Sequence, residues 1–124
     1  MTTKEITICG TQLTLSYCYA VEIGYKILSD QNIHDFFDEV GKALNEQKMP
    51  DIQRTIYLIM ASALAYYQSK KEKAPVTDEQ IMYEATANEL SNALLAIITL
   101  RSEFFKVPSD ELTETEKQQD EKNV

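Results

Sequence analysis

The chain is short of the residues from which catalytic and cofactor sites are built. Its 124 residues hold one histidine, two cysteines, two arginines, three glycines and no tryptophan. Gly10, Gly24 and Gly41 stand far apart, so there is no glycine-rich loop to cradle a phosphate. His34 has no serine or cysteine that spacing would pair with it as a nucleophile, and it reads as a solvated residue at a helix start. Asp30, Asn32 and His34 alternate as metal ligands can, but the glycine and the terminal glutamate of a calcium loop are missing. Helix capping explains them better. Glu79 with Glu84, and Asp35 with Glu39, are carboxylate pairs on glutamate-rich helices. Acid–base work needs surroundings that push two such groups apart in pKa, and a solvated face is the default. No catalytic, cofactor or metal site is expected, and enzymatic activity ranks last among the readings.

Positive charge is scarce too. Twelve Lys and Arg face twenty Asp and Glu, a net charge of -8 with a pI near 4.6. A phosphate-backbone binder needs clustered cations, so nucleic acid is not an expected partner. The longest apolar run, Ile56 to Tyr67, has twelve residues with Ser62 inside it. A membrane span needs about twenty. Met1–Glu5 leads into an alternating strand, not into the apolar core of a secretion signal. Cys9 and Cys18 fall roughly 20 Å apart at strand spacing, too far for a disulfide. These readings converge on a cytoplasmic protein with two unpaired thiols.

What is present is apolar periodicity. Ile6 and Ile8 alternate with polar residues, as do Leu13 and Leu15. A hairpin over residues 4–16 is expected, with Gly10-Thr11 as a type II′ turn pairing Ile8 with Leu13 and Ile6 with Leu15. An isolated hairpin is marginal in water, so helices must cover its apolar face. Helical spacing then recurs over residues 17–28, 33–46, 51–71, 78–85 and 87–106. In the first, Val21, Gly24, Tyr25 and Leu28 share a face that Tyr19, Ile23 and Ile27 widen. In the second, Phe36, Phe37, Val40 and Leu44 form the stripe. The third is apolar on nearly every side through Tyr57, Leu58, Ala61 and Ala65, which marks it as the buried central helix. Asp51 is its expected cap, and Lys70, Lys71 and Lys73 suit its negative end. Thr77–Gln80 and Thr86–Glu89 carry capping-box spacing. Leu90, Leu94, Ile97, Ile98, Phe104 and Phe105 line the last helix, with Leu100 on a flank and Pro108 as its stop.

Ser109–Val124 holds six acids and two lysines, half of the net charge, and too little apolar surface to offset its ordering entropy. It is expected to be a disordered acidic tail. The expected fold class is therefore α+β and mostly helical: one domain over residues 1–108, an N-terminal hairpin, four to five helices, then the tail.

Two residue types remain open. Arg54 and Arg101 sit on strongly apolar helices. They read as intramolecular ion pairs at the core edge, with anchoring of a partner carboxylate as the alternative. Of the seven tyrosines, Tyr17, Tyr19 and Tyr25 cluster on the first helix and Tyr66 and Tyr67 end the third. Tyrosine suits both the margin of a small core and a protein interface. Tyr19, Tyr25, Tyr66 and Tyr67 are the candidate partner-binding residues, and self-association is a further expectation.

Three segments carry a resemblance. One runs from Ile6 through Gly10, Leu15, Tyr17, Tyr19-Ala20 and Glu22-Ile23 to Tyr25-Lys26. The others are Asp51–Tyr67 and Leu94–Pro108. In these and in its layout the chain resembles the tail assembly chaperones of long-tailed phages and prophages, in a form carried by Bacteroides-type elements. The resemblance implies a non-enzymatic protein that binds the helical tape measure protein, keeps it soluble and recruits tail tube subunits. A longer frameshifted form often accompanies such proteins. The alternatives are a small helix-turn-helix regulator, using residues 77–85 and 89–100, and a generic helical interaction module.

Overall fold

In the computed structural model, which describes residues 1–106, strands β1 (Thr3–Ile8) and β2 (Thr11–Ser16) form an antiparallel hairpin. The register pairs Ile6 with Leu13 and Ile8 with Thr11, so the turn is Cys9-Gly10, not Gly10-Thr11. Both turn residues have positive φ, 53° and 69°, as a type I′ turn requires. A tertiary contact supplies the reason. The Cys9 N–H donates to the Glu89 carboxylate at 3.3 Å, which helps hold a non-glycine residue in the left-handed region. The shift is two residues, so Ile8, Leu13 and Leu15 still fall on one face, and all three are fully buried.

Among the described residues five helices follow: α1 (Tyr19–Ser29), α2 (Ile33–Asn45), α3 (Ile52–Ser69), α4 (Asp78–Glu84) and α5 (Ala87–Phe104). Each expected helix is found, with ends moved by one or two residues. The start of α1 moves because Cys18 is extended and serves as its N-cap, which leaves Tyr17 buried ahead of the helix. The caps are those the sequence marks. Asp51 accepts from the Arg54 N–H and Thr77 from the Gln80 N–H, while Thr86 and Glu89 form a reciprocal capping box. Pro108 and the acidic tail from Ser109 onward lie outside the described residues.

The long helix α3 is central, packing against α1, α4, α5 and β2. Leu58, Ile59 and Ala63 are fully buried, and Met60 and Ala61 nearly so. It also closes the outer edge of β2. The Thr14 N–H donates to the Tyr67 hydroxyl at 3.1 Å, and the Ser16 N–H to Ser62 Oγ at 3.0 Å. Ser62 Oγ donates to the Ser16 carbonyl, and Ser16 Oγ to the Ser62 carbonyl. Buried hydroxyls are therefore satisfied while an otherwise open strand edge is blocked. On the far side, α5 lays Leu90, Ala93, Leu94, Ile97 and Leu100 onto the hairpin and α3. Leu100, expected on a flank, belongs to the core.

Candidate interaction surface

Helix α1 has two apolar faces, and the protein covers one. Val21 and Tyr25 are fully buried against the core. Tyr19, Ile23 and Ile27 lie one turn apart along the helix and are 64%, 62% and 76% exposed. These three were expected to widen the buried face. They point outward instead, because α3 and α2 already occupy the sides that Val21, Gly24 and Tyr25 present. Beside this row lies a groove of about 180 Å³ between α1 and α3. Its floor is Ala20, Gly24, Ala61 and Ala65, and its walls are Ile27 and Leu28 on one side and Leu64 and Gln68 on the other. A methyl group on Gly24 would meet the Ala61 Cβ at 3.7 Å, an ordinary contact.

The four candidate tyrosines have different surroundings. Tyr19 is exposed, with its ring edge-on to Phe104 at 5.0 Å. Tyr25 is fully buried and stacks on Phe36 at 5.7 Å, so it is a core residue and offers no surface to a partner. Among the described residues its hydroxyl has no hydrogen-bond partner. Tyr67 is half-buried and bonds β2 through its hydroxyl, and Tyr66 meets it edge-on at 5.0 Å. Only Tyr19 joins the α1 row. Ile23 and Ile27, its neighbours at i+4 and i+8, were legible as apolar residues but not as surface.

The arginines fasten α2. The Arg54 guanidinium bonds Glu39 at 2.8 Å and lies over the Phe36 ring, which is the intramolecular ion pair expected for it. Arg101 differs from its expected ion pair. It lies 4.4 Å from the centre of the Phe37 ring and its Nη2 donates to His34 Nδ1 at 3.1 Å, while its Nε has no hydrogen-bond partner among the described residues. His34 Nε2 is 3.7 Å from the Glu22 carboxylate, which also accepts from the Tyr17 hydroxyl at 3.0 Å. Burial and that carboxylate push the Tyr17 phenol far above its usual range. Asn32 caps α2 by accepting from the His34 N–H, and Glu39 is engaged by Arg54. Among the described residues no three His, Cys, Asp or Glu side chains gather as metal ligands, and both cysteines are free.

A second cleft, of about 320 Å³, opens between the start of α3 and α4, where Ile52, Ile56, Tyr57 and Met82 line it. It is the roomier of the two, but one wall belongs to a helix of seven residues, and no row of exposed apolar side chains at one-turn spacing runs beside it. The exposed α1 row and the α1/α3 groove thus lie side by side as apolar surface. Among the described residues no helix is long and apolar enough to cross a membrane. Comparison with family models, with curated proteins and with solved structures finds no match to this chain.

Proposed function

We propose that the protein is a non-enzymatic assembly chaperone of a long-tailed phage or prophage, binding the tape measure protein and assisting tail tube assembly. The observation that carries the reading is the exposed row Tyr19, Ile23 and Ile27 beside the α1/α3 groove. The largest exposed apolar patch on a soluble protein is often functional. A ridge of residues one turn apart is what packs into the grooves of another helix, and a tape measure protein is a long helical client. The resemblance over Ile6–Lys26, Asp51–Tyr67 and Leu94–Pro108 gives the client its identity. Of the candidate contacts, Tyr19 belongs to this surface, Tyr66 and Tyr67 lie at the end of α3, and Tyr25 is replaced by Ile23 and Ile27.

The regulator alternative would use α5 as a recognition helix. Its outward residues are Ala87, Asn88, Asn92, Leu95, Thr99, Ser102 and Glu103, and the one arginine of the helix is held against Phe37. Such a surface is poorly suited to a phosphate backbone. Co-expression tests the proposal. The candidate tape measure protein should be soluble with this chain, co-purify with it, and precipitate without it. Equal solubility in both cases, with no complex recovered, would refute the reading.

A further inference from the structure

We propose that the outer edge of β1 pairs with β1 of a second copy of the chain, antiparallel and centred on Ile6, so that two hairpins make one four-stranded sheet. The two edges of the hairpin end differently. The two-residue turn makes Ile8 and Thr11 a hydrogen-bonded pair, and bonded and non-bonded pairs then alternate along the ladder. The backbone groups of Thr3, Glu5 and Thr7 therefore face away from β2, as those of Gln12, Thr14 and Ser16 face away from β1. On β2, α3 meets the outward N–H groups of Thr14 and Ser16 with Tyr67 and Ser62. On β1 the outward N–H and C=O groups of Thr3, Glu5 and Thr7 have no partner among the described residues, and all three residues are exposed. Such an edge is a template for another strand.

The occupant has to be extended backbone. A helix satisfies its own N–H and C=O groups along its length, so the helical client of α1 cannot complete a strand edge. β1 of a second copy presents the same outward residues, and a two-fold axis across the edge sets the pairing antiparallel. Registers that engage at least two of Thr3, Glu5 and Thr7 are centred on Lys4, Glu5 or Ile6. The first sets two ammonium groups directly opposite each other and the second two carboxylates, and like charges so placed destabilise a sheet. The third opposes Ile6 to Ile6 and Glu5 to Thr7. Ile6 is half-buried, and Leu13 already lies opposite it within the hairpin. Pairing in this register extends the row to Leu13, Ile6, Ile6, Leu13 across four strands and covers apolar surface that one copy leaves in water. Lys4 comes to face Ile8 as it already faces Leu15.

The pairing leaves the α1 row free. α1 packs on α3, α3 closes the outer edge of β2, and β1 lies beyond β2, so α3 and β2 separate the two surfaces. The inference thus goes beyond the proposed function: the pair of chains carries two client surfaces. Glu5 and Thr7 of each copy exchange four backbone hydrogen bonds in all, a small interface, so the dimer is weak and concentration-dependent.

Sedimentation of the full chain tests this: the 14.2 kDa monomer should give way to a species of twice that mass as concentration rises. Thr7→Pro removes an outward N–H and leaves the ladder to β2 intact, since proline is tolerated where a strand's N–H faces out. By symmetry it deletes two of the four bonds and should weaken the dimer about thirty-fold. Glu5→Pro acts in the same way, and circular dichroism would verify that the variants fold. Cross-linking reads the register. In a chain with Cys9→Ser and Cys18→Ser, Ile6→Cys should form a disulfide between copies, because a non-hydrogen-bonded pair holds its Cα atoms about 4.5 Å apart. Glu5→Cys should not. A monomer at every concentration, a cross-link through Glu5→Cys in place of Ile6→Cys, or a dimer untouched by both prolines would overturn the proposal. So would a dimer that Ile23→Ser dissolves, which places the contact on α1, or one that forms only after residues 107–124 are removed, which assigns the edge to that segment.

Discussion

Helices α3 and α1 carry similar apolar content and meet opposite fates. In α3 the apolar residues run round the helix, and neighbours cover nearly all of them: α1, α4, α5 and β2 leave Leu58, Ile59 and Ala63 without access to water and Met60 nearly so. In α1 the row Val21 and Tyr25 is covered and the row Tyr19, Ile23 and Ile27 is not. Apolar periodicity reports that a face avoids water somewhere. It does not report whether the cover comes from the same chain. The second row of α1 is therefore where the molecule has a surface left to use.

The sharpest way to break the comparison is to place a charge in each helix. Met60→Asp puts an unpaired carboxylate inside the core and should cost more than about 4 kcal/mol, enough to unfold most of the protein, as denaturant titration would show. An unchanged midpoint would mean that α3 is not the centre of the fold. Within α1, the two tyrosines should diverge. Tyr25→Ala should cost about 3–5 kcal/mol, because a fully buried ring is lost, while Tyr19→Ala should cost less than about 1 kcal/mol. Tyr25→Phe should be neutral or stabilising, since it removes a buried hydroxyl that has no partner among the described residues.

Gly24→Ala separates stability from binding. The new methyl finds ordinary contact with Ala61 and relieves the entropy cost of a mid-helix glycine. The thermal midpoint should rise, by about 0.5–1 kcal/mol in free energy. Because the same methyl raises the groove floor, affinity for a helical partner should fall. Ile23→Ser with Ile27→Ser should leave stability within about 1 kcal/mol and abolish partner binding. Loss of folding in that double variant would show that the row is structural.

The contrast between the helices is one of packing, so it should be flat with pH. The pH dependence comes from the hairpin junction. Hydrogen bonds from the Thr86 and Cys9 backbone N–H groups hold the Glu89 carboxyl below its usual range. A depressed acid contributes stability above its unfolded pKa and loses it as pH falls through the folded one. Wild-type should therefore lose a small increment of stability on acidification that Glu89→Gln lacks, read as a narrowing gap between their thermal midpoints.

Much of the fold was legible because its signals are local. Asp51, Thr77 and the Thr86–Glu89 box mark helix starts within four residues of themselves, and the all-round apolar run from Ile56 to Ala65 marks the buried helix. The turn register was not legible. Cys9-Gly10 and Gly10-Thr11 both keep the apolar face intact, and the Glu89 carboxylate that bonds the Cys9 N–H arrives from eighty residues away. The arginines were half legible: a charge on an apolar helix needs a partner, but the choice of Glu39 for Arg54 and of His34 with Phe37 for Arg101 depends on where α2 docks.

The sequence by itself determined which segments become strands and helices, where most of them start, and that α3 lies inside, because hydrogen-bond caps and apolar spacing act over a few residues. Only the tertiary structure decided which apolar rows are covered. It buried Tyr25 beneath Phe36 and left Ile23 and Ile27 in water. It also laid α1 beside α3 with a groove between them. Burial is a property of neighbours, and those neighbours come from segments far apart in the chain.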